Sequence, residues 1–563
     1  MSQPIHSSIT RPSSIVLSRL LSNNEAPDAH EAASINQGIS NLQGEISRLR
    51  SQLDHLEGLL QKHRGVVSVV RTMPFEVWGR IFTFVLPSCS TQYEKKELLY
   101  LALVCRTWCQ AVRFTHRLWS QYSVLSYFPS YEATKSWLSR SGDLPKTLKV
   151  SGFRCSHSRG RMPPDSDFWC RMIHPELVKM LSEGPVLDHL SLECQVPLCF
   201  IKICEQLHPS KWNPIRSLAI RIYEGWSGVI EGEVPSTSFD IPPTVTSLEI
   251  NLGFISDFGH PGRPLCISPS AYARLKSFSF HATTSAWSNG SALLQALQYC
   301  TSLENLTIDK PSRNIWKYDG QGWPVSLPSL RTLRLEQACE SEILNYLIMP
   351  ALTKLVVRRR QYREGEGFRW DFPDPELRYP NLHILQLYAP LSMNPLKLAT
   401  TLKCLPHLTE LTLSGVVSDS HAWDHGDYRG EPESGHRREG KREPPMRDVF
   451  QILHSWDKEC GASRNLPVLQ VLEILDLPSD YRFPYVFDYV AARSSPGVPG
   501  QASDSLKKLT VTFLPIRLPS YLSCNFRDFK NVHEAFERRG LSVSITPSIF
   551  EPPKRAPLYP FRV

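Results

Sequence analysis

Long hydrophobic runs are missing from this sequence. Its 563 residues contain no uninterrupted apolar stretch of the length, about eighteen residues or more, that indicates a membrane-spanning helix. The amino-terminal segment MSQPIHSSITRPSSIVLSRLL lacks the apolar core and small-residue cleavage site of a secretory signal. We therefore expect an intracellular protein, cytoplasmic or nuclear, with no membrane partner.

Catalytic motifs are missing as well. The sequence has no Gly-rich phosphate loop, no G-x-S-x-G elbow, no H-E-x-x-H pair and no recognisable Cys/His nucleophile signature. The fourteen cysteines include no CxxC, and the nearest cluster, Cys194, Cys199 and Cys204, has the wrong spacing for zinc. We predict reduced, buried thiols, no catalytic residues, no metal and no cofactor.

The net charge of +8 is small for this length. The densest basic patch is Arg358–Arg360 with Arg363, and Tyr362, Phe368 and Trp370 lie nearby and could stack on nucleic-acid bases. A solvated loop explains the patch better. A nucleic-acid-associated protein is therefore only the less favoured alternative.

A heptad pattern follows a Ser-, Pro- and Asn-rich start, residues 1–34, for which the composition predicts disorder. Three glycines, Gly38, Gly44 and Gly58, interrupt the heptad helix predicted over residues 35–64, and each costs about 1 kcal/mol relative to alanine. Self-association through residues 39–60 and packing against the chain that follows therefore stay open as equal alternatives. The apolar positions alternate in steps of three and four, as in a coiled-coil seam: Ile39, Leu42, Ile46, Leu49, Leu53, Leu56 and Leu60.

The segment TMPFEVWGRIFTFVL, residues 72–86, is too apolar for a helix with one buried side. Its polar residues Glu76, Arg80 and Thr83 form one narrow stripe, and nearly every other position is apolar. The next segment, ELLYLALVCRTWCQAV, predicts a second helix with a wide apolar stripe. Two such short helices cannot enclose their own apolar faces, so a further packing partner is required.

Three ordered blocks in this region resemble the F-box. They are Met73-Pro74 with Glu76-Val77, then Leu101, Val104, Cys105 and Trp108, then Leu118-Trp119. Met73 stands where leucine is usual, which is a volume-conserving change. The resemblance implies an F-box domain over residues 70–122 that docks on the Skp-type adaptor of a cullin-RING ubiquitin ligase. By the same resemblance, the adaptor-binding helices include Pro74, Phe75, Val77, Trp78, Ile81, Phe82, Leu101, Val104 and Trp108.

An L-x-x-L-x-L pattern recurs eleven times after residue 186, with successive copies 22–34 residues apart except for one step of 64. This period is close to that of a leucine-rich repeat, in which stacked units share one core. LPKTLKV at 144–150 is a plausible degenerate first strand. The fourth positions of the copies are Leu190, Leu218, Leu248, Phe278, Leu306, Leu333, Leu355, Leu385, Leu411, Leu475 and Leu509.

The fold class expected from these patterns is α+β: a small all-α F-box, a linker at 123–143 and an α/β leucine-rich-repeat solenoid, or horseshoe, over 144–546. The 64-residue step contains a charged insertion, residues 418–448, predicted to be disordered, and residues 547–563 form a tail. His421, Asp424, His425 and Asp427 in the insertion are poor metal ligands, because nothing apolar nearby would fix their geometry.

Alternation along each strand points the leucines inward and the residues between them toward the concave surface. This places a polar face across the middle repeats that is suited to protein recognition. The substrate-binding residues expected on it are Arg334, Glu336, Lys354, Arg358, Gln386 and Tyr388.

The function predicted from these features is a non-catalytic substrate-recognition subunit of a Skp-cullin-F-box ubiquitin ligase. The F-box would bind the adaptor, and the repeats would hold an unknown protein substrate near the charged conjugating enzyme. The alternative from the same residues is a protein-interaction scaffold that does not direct degradation.

Overall fold

The computed structural model describes seventeen stretches of the chain. They form two compact units: residues up to Val85 with Ala102–Phe114, and Leu86–Leu101 with the chain from Thr115 onward. The 418–448 insertion, basic residues 359–363 and residues 548–563 lie outside the described stretches. These are residues 14–86, 92–124, 130–151, 171–207, 211–223, 240–252, 267–282, 290–309, 324–336, 341–358, 375–391, 395–416, 449–460, 466–477, 489–490, 506–513 and 541–547.

The amino-terminal part of the chain is helical. The longest helix, α2, begins at Ala29, because Asp28 accepts a hydrogen bond from the Glu31 amide at 2.7 Å and the Glu31 carboxylate accepts one from the Asp28 amide at 3.2 Å. It therefore starts before residue 35, and α1 lies in the segment whose composition predicted disorder. The helices are α1 (Ser14–Asn23), α2 (Ala29–Val66), α3 (Val69–Thr72), α4 (Phe75–Val85), α5 (Gln92–Val104) and α6 (Arg106–Phe114).

The second unit is built on strands that are parallel to their neighbours in the chain. Fourteen of the described strands form a single sheet in the order β1-β2-β3-β4-β5-β6-β7-β9-β11-β12-β13-β14-β15-β16, and β8 pairs with β10 in a small separate ladder. This sequential order is compatible with a repeat solenoid. The strands are β1 (Gln121–Val124), β2 (Thr147–Ser151), β3 (Leu187–Cys194), β4 (Ile215–Ile222), β5 (Ser247–Leu252), β6 (Ser277–Ala282), β7 (Asn305–Asp309), β8 (Val325–Ser326), β9 (Thr332–Glu336), β10 (Leu347–Ile348), β11 (Lys354–Arg358), β12 (Ile384–Leu391), β13 (Glu410–Val416), β14 (Val471–Leu477), β15 (Lys508–Phe513) and β16 (Ser542–Pro547).

The sheet starts earlier than the sequence predicted. Its first strand, β1, lies at the end of the predicted F-box and the start of the predicted linker, and it pairs with β2 through Tyr122–Leu148 and Val124–Val150. The predicted linker also contains a helix, α7 (Tyr131–Ser139). LPKTLKV therefore supplies the second strand of the sheet.

The repeat leucines line one face of the sheet in a continuous row. Leu333, Leu355 and Leu385 are paired neighbours in register, and each is fully buried. The tenth copy is the exception, because Leu472 pairs with Leu411 while Leu475 pairs with Ser414 on the polar face. Both leucines fit the sequence pattern. The two buried rows of the neighbouring strands continue through Leu472 and Ile474, which pair with Leu411 and Leu413 on one side and with Leu509 and Val511 on the other. The register predicted from Leu475 is therefore wrong by three residues.

Helices pack on the apolar face of the sheet. Buried side chains of α8, α9, α11, α13 and α14 belong to the same hydrophobic cluster as the strand leucines. Short 3-10 turns lie at His116–Trp119, Arg171–Ile173 and Ser341–Tyr346. The helices that follow α7 in this unit are α8 (Pro175–Glu183), α9 (Pro197–Gln206), α10 (Pro269–Arg274), α11 (Gly290–Gln298), α12 (Pro375–Arg378), α13 (Pro395–Lys403) and α14 (Val449–Cys460).

A backbone hydrogen-bond ladder connects the strand entries of consecutive units. The Arg331 carbonyl accepts from the Thr353 and Lys354 amides, both at 2.9 Å, and the Thr353 carbonyl accepts from the next pair of amides in the same way. Side chains reinforce it, since the Thr353 hydroxyl also donates to the Arg331 carbonyl at 3.1 Å. Polar groups that the repeat would otherwise bury without partners are satisfied here by neighbouring units.

Among the described helices, none has both the length and the apolar content needed to cross a bilayer.

The thiol of Cys300 offers a probe of the repeat core. Cys300 is fully buried beside α11, and burial raises the pKa of its thiol to about 12, so the reactive thiolate is scarce at neutral pH. We expect Cys300 to resist alkylation at pH 8 in the native full-length protein, whereas exposed Cys105 is modified. Peptide-resolved mass spectrometry after a labelling time course measures both. Equal native rates would contradict this packing of α11.

Candidate protein-recognition surfaces

Helix α4 has two apolar sides, and only one is covered. On the covered side Trp78 and Phe82 are buried, and their rings lie 4.6 and 5.1 Å from the ring of Trp108 on α6. Phe75 is 36% exposed, with its ring 5.7 Å from that of Phe114 at the end of α6. The aromatic cluster fixes α4 against α6 within the first unit.

The other side of α4 lies open. Val77, Ile81, Phe84 and Val85 follow a spacing of i, i+4, i+7 and i+8, which places them on one stripe of the helix. Phe84 is 83% exposed and Val85 64% exposed, while Ile81 is half-buried. We call these four residues the α4 stripe. A contiguous exposed apolar patch, unlike a single exposed apolar residue, is typical of a surface that another molecule covers.

Helix α5 also has an open apolar side. Leu103 is 80% exposed and Val104 60% exposed, and Leu99 and Tyr100 lie one turn earlier on the same side. Leu98 is buried on the opposite side of the helix. The sequence prediction included Val104 among the adaptor-binding residues but not Leu99, Tyr100 or Leu103, although Leu103 and Val104 each follow an apolar or aromatic residue four positions earlier.

The residues expected to bind an adaptor therefore differ in accessibility. Trp78 and Phe82 are buried inside the unit, and Ile81, Leu101 and Trp108 are half-buried. Pro74, Phe75, Val77 and Val104 are exposed. Phe84 and Val85, which sequence reasoning did not list as binding residues, are more exposed than Phe75 or Val77.

The polar face of the sheet carries the six residues expected to bind a substrate. They lie in three rows, each made of residues that are paired in register across neighbouring strands. Lys354 lies in the first row, Arg334 and Gln386 in the second, and Glu336, Arg358 and Tyr388 in the third. Alternation places Val356 on this face as well, between Arg334 and Gln386, but its side chain is buried. The face is therefore continuous in register but not uniformly accessible.

The two arginines at the centre of this face share a carboxylate. Arg334 does not stand beside Arg358, because its register partner is Val356 and that of Arg358 is Glu336. The Glu336 Oε1 atom lies 3.3 Å from Arg334 Nη2 and 3.9 Å from Arg358 Nη1. The Arg358 guanidinium also lies over the Tyr388 ring, 4.7 Å from its centroid. We call these four residues the arginine cluster: Arg334, Glu336, Arg358 and Tyr388.

A second charged cluster lies on the first strands, where sequence reasoning proposed no site. Glu193 is only 3% exposed, and its carboxylate oxygens lie 2.8 Å from Lys149 Nζ and 2.5 Å from the Ser151 hydroxyl. Arg221 on the next strand lies 3.6 Å from Glu193 and 3.3 Å from Glu249. Aligning the repeats in the sequence could have indicated this cluster, because Ser151, Glu193 and Arg221 occupy equivalent positions on successive strands.

His189 stands on the same part of the face. Its Nδ1 atom lies 3.0 Å from the Ser217 hydroxyl. Burial lowers the pKa of His189 below its ordinary value, Arg221 acts in the same direction, and Glu249 opposes them. The neutral imidazole is therefore favoured at this position.

The sequence also contains candidate metal-binding and nucleic-acid-binding residues. Among the described residues, no group of three or more His, Cys, Asp or Glu side chains is arranged to hold a metal ion. Cys194 and Cys199 are buried, and Cys204 is partly buried. The metal residues considered in the sequence, His421 to Asp427, and most of the Arg358–Arg363 patch lie outside the described stretches.

Comparisons with known proteins give little further information. No protein-family model matches the chain, and no curated protein matches it. A crystal structure of a Bacteroides fragilis protein is similar at 12% sequence identity over 66% of this chain and 69% of that chain, with a TM-score of 0.26. So low a TM-score carries no argument, and the F-box identification remains a prediction from the sequence motifs.

The Glu193 cluster has a measurable consequence for stability. Replacing Glu193 with Gln removes the charge from its contacts with Lys149 and Ser151, and we expect a loss of about 1–3 kcal/mol in the free energy of unfolding. The control Glu249→Gln alters a more exposed ion pair and is expected to cost less than about 1 kcal/mol. The free energy of unfolding of both variants is measured from the extent of Cys300 alkylation at increasing denaturant concentrations. An equal or larger loss for Glu249→Gln would contradict a structural role for Glu193.

Proposed function

We propose that this chain is the substrate-recognition subunit of a Skp-cullin-F-box ubiquitin ligase. Its F-box, residues 70–122, docks on the Skp-type adaptor, and the polar face of a leucine-rich-repeat array binds a substrate protein. The chain itself catalyses nothing in this scheme. It contributes proximity, because it holds the substrate near the conjugating enzyme that carries ubiquitin.

The observation that carries the proposal is the uncovered α4 stripe. A helix that buries Trp78 and Phe82 on one side has already met its requirement for folding, so the exposed Phe84 and Val85 on the other side serve a different purpose. Covering them removes apolar surface from water, which contributes about 25 cal/mol per Å². The helix also contains Glu76 and Val77 of the first F-box-like block, and Met73 and Pro74 of that block directly precede it.

The polar face supports the receptor half of the proposal. Its arginine cluster combines guanidinium, carboxylate and phenol groups, and Arg and Tyr are enriched at binding hot spots. Because Glu336 already accepts a hydrogen bond from Arg334 and forms an ion pair with Arg358, an acidic or phosphorylated segment would have to compete with this carboxylate for the two guanidinium groups. That competition favours ligands that carry more than one negative charge.

Two other functions remain as alternatives. A non-degradative interaction scaffold would use the same polar face but would not need the adaptor, so adaptor capture distinguishes the two. A nucleic-acid-associated protein is less favoured, because Arg358, the described member of the basic patch, is engaged by Glu336 and Tyr388. Its test is a salt-dependent affinity for nucleic acid.

Adaptor capture tests the F-box assignment. Phe84→Asp places a charge where the adaptor would cover the α4 stripe, and an uncompensated buried carboxylate costs several kcal/mol, so we expect capture to fall at least about 100-fold. Phe84 is a sharper target than half-buried Ile81, since its exposure makes misfolding of the variant a lesser concern. Co-purification of the full-length chain with co-expressed adaptor measures capture.

Arg80→Asp is the matched control for Phe84→Asp. Arg80 is exposed on the polar stripe of the same helix, and the substitution introduces the same residue. We expect this control to retain most adaptor binding. Undiminished capture by Phe84→Asp, or no capture by the wild-type chain, would overturn the F-box assignment.

Charge reversal tests the recognition face. The double variant Arg334→Glu and Arg358→Glu turns the arginine cluster strongly acidic, and we expect it to weaken substrate capture by about 2 kcal/mol or more if the cluster is central to the interface. The control Arg331→Glu changes an exposed arginine just before β9. Quantitative affinity capture compares the proteins retained by each variant with those retained by wild type.

Adaptor binding must stay unchanged in both charge-reversal variants. Proteins that the double variant loses and the control retains would support recognition by this face. If the double variant retains the same proteins as wild type, substrate recognition lies elsewhere in the chain. Deleting residues 418–448 then tests the charged insertion as the alternative site.

A further inference from the structure

Helix α2 carries an apolar seam that the described structure leaves open. The helix extends over 38 residues, and its seam side chains are each between 47% and 61% exposed. From Ile39 to Leu60 the seam is about 32 Å long at 1.5 Å per residue. A contiguous stripe of this size is usually covered in a stable protein. The seam comprises Ile39, Leu42, Ile46, Leu49, Leu53, Leu56 and Leu60.

The composition of the seam specifies what covers it. With Ile39 at heptad position a, isoleucine occupies the first two a positions and leucine the next two, Leu53 and Leu60, and leucine occupies every d position from 42 to 56. A β-branched residue at a with leucine at d favours two parallel strands over three or four. We propose that α2 forms a parallel, in-register, two-stranded coiled coil with a second copy of this chain.

The flanking charges fit a second copy in that orientation. Glu45 occupies position g, and Arg50 occupies position e of the next heptad. In a parallel dimer these positions lie across the seam from each other, so each dimer contains two Glu45–Arg50 pairs of opposite charge. Glu45 now pairs with Arg48 of its own helix, and both side chains are accessible to solvent. The remaining g-to-e neighbours, Gly38 with Gln43, Gln52 with Glu57 and Leu59 with Arg64, include no like-charge pair.

Two of the three glycines that counted against a coiled coil lie away from the seam. Gly44 and Gly58 both occupy position f, the outermost position of the heptad. A β-carbon built at either of them meets no other atom within 4 Å. Gly38 precedes Ile39, the first seam residue, so it does not interrupt the seam either. The glycines lower helix propensity but leave no hole in the seam.

The dimer goes beyond the proposed ligase function and does not rest on it. The mass of the full-length chain in solution tests it, and we expect sedimentation equilibrium to give twice the 64.1 kDa chain mass for wild type. Leu49→Asp puts a carboxylate in the middle of the seam, and we expect it to raise the dimer dissociation constant at least about 100-fold. Ser51→Asp introduces the same charge at position f and should remain dimeric. A monomeric wild type, or a Leu49→Asp variant that dimerises normally, would overturn the proposal.

Orientation is tested separately. Position 49 faces its own copy in a parallel register, so mild oxidation of the Leu49→Cys variant should join the two introduced thiols in a disulfide that peptide mass spectrometry identifies. Arg50→Glu should weaken the dimer by placing a second carboxylate opposite Glu45, and adding Glu45→Arg should restore wild-type affinity. A dimer that forms without this cross-link, or that the second charge exchange does not rescue, contradicts the parallel register.

Adaptor capture separates this proposal from the ligase function. Leu49→Asp should abolish dimerisation and leave adaptor binding intact, whereas Phe84→Asp should do the reverse. A wild-type dimer that captures no adaptor would sustain the coiled coil and reject the F-box assignment. A wild-type monomer that captures the adaptor would reject the coiled coil and sustain the F-box assignment.

Discussion

The fold of the second unit depends on apolar surface that no single strand can bury by itself. Each strand turns two side chains, such as Leu333 and Leu335, to one face, and they are covered by equivalent residues of the neighbouring strands and by the helices behind them. Because side chains alternate along a strand, burying these leucines fixes the register, and the register then orders the polar face. The arrangement of charges on that face is thus a consequence of the hydrophobic core.

This constraint explains which parts of the array could be predicted. The regularly spaced leucines predicted the centres of most strands, because the same periodic pattern indicates where a strand lies and which of its side chains point to the core. It failed at β14, where Leu472 and Leu475 fit the pattern equally well and only continuity of the buried rows selects one. It also missed β1, because Gln121–Val124 lacks the leucines of a repeat and becomes a strand by pairing with β2. Where the local sequence pattern is ambiguous or absent, pairing with the neighbouring strands determines the register or the existence of a strand, and a local motif does not contain that information.

For the recognition surfaces, too, the sequence predicted the kind of surface, and packing and register determined its details. Sequence patterns indicated that α4 has too much apolar surface, but they could not say which side is open, because Trp78 and Phe84 are equally apolar and only the packing of Trp108 distinguishes them. On the sheet, alternation predicted that Arg334 and Arg358 share a face with Glu336. It could not predict that Glu336 lies close enough to pair with both, since that depends on strand register and side-chain direction.

Helices α2 and α4 both have an open apolar side, and these sides differ in a way that bears on what they bind. The α2 seam repeats every seven residues with residues of similar size, so a second identical helix can match it along its whole length. The α4 stripe is only about three turns long, and its open surface is dominated by one aromatic residue, Phe84. It cannot build a self-complementary repeat, because a single large knob needs a pocket of different shape. Regular periodicity thus favours self-recognition at α2, and its absence favours an unlike partner at α4.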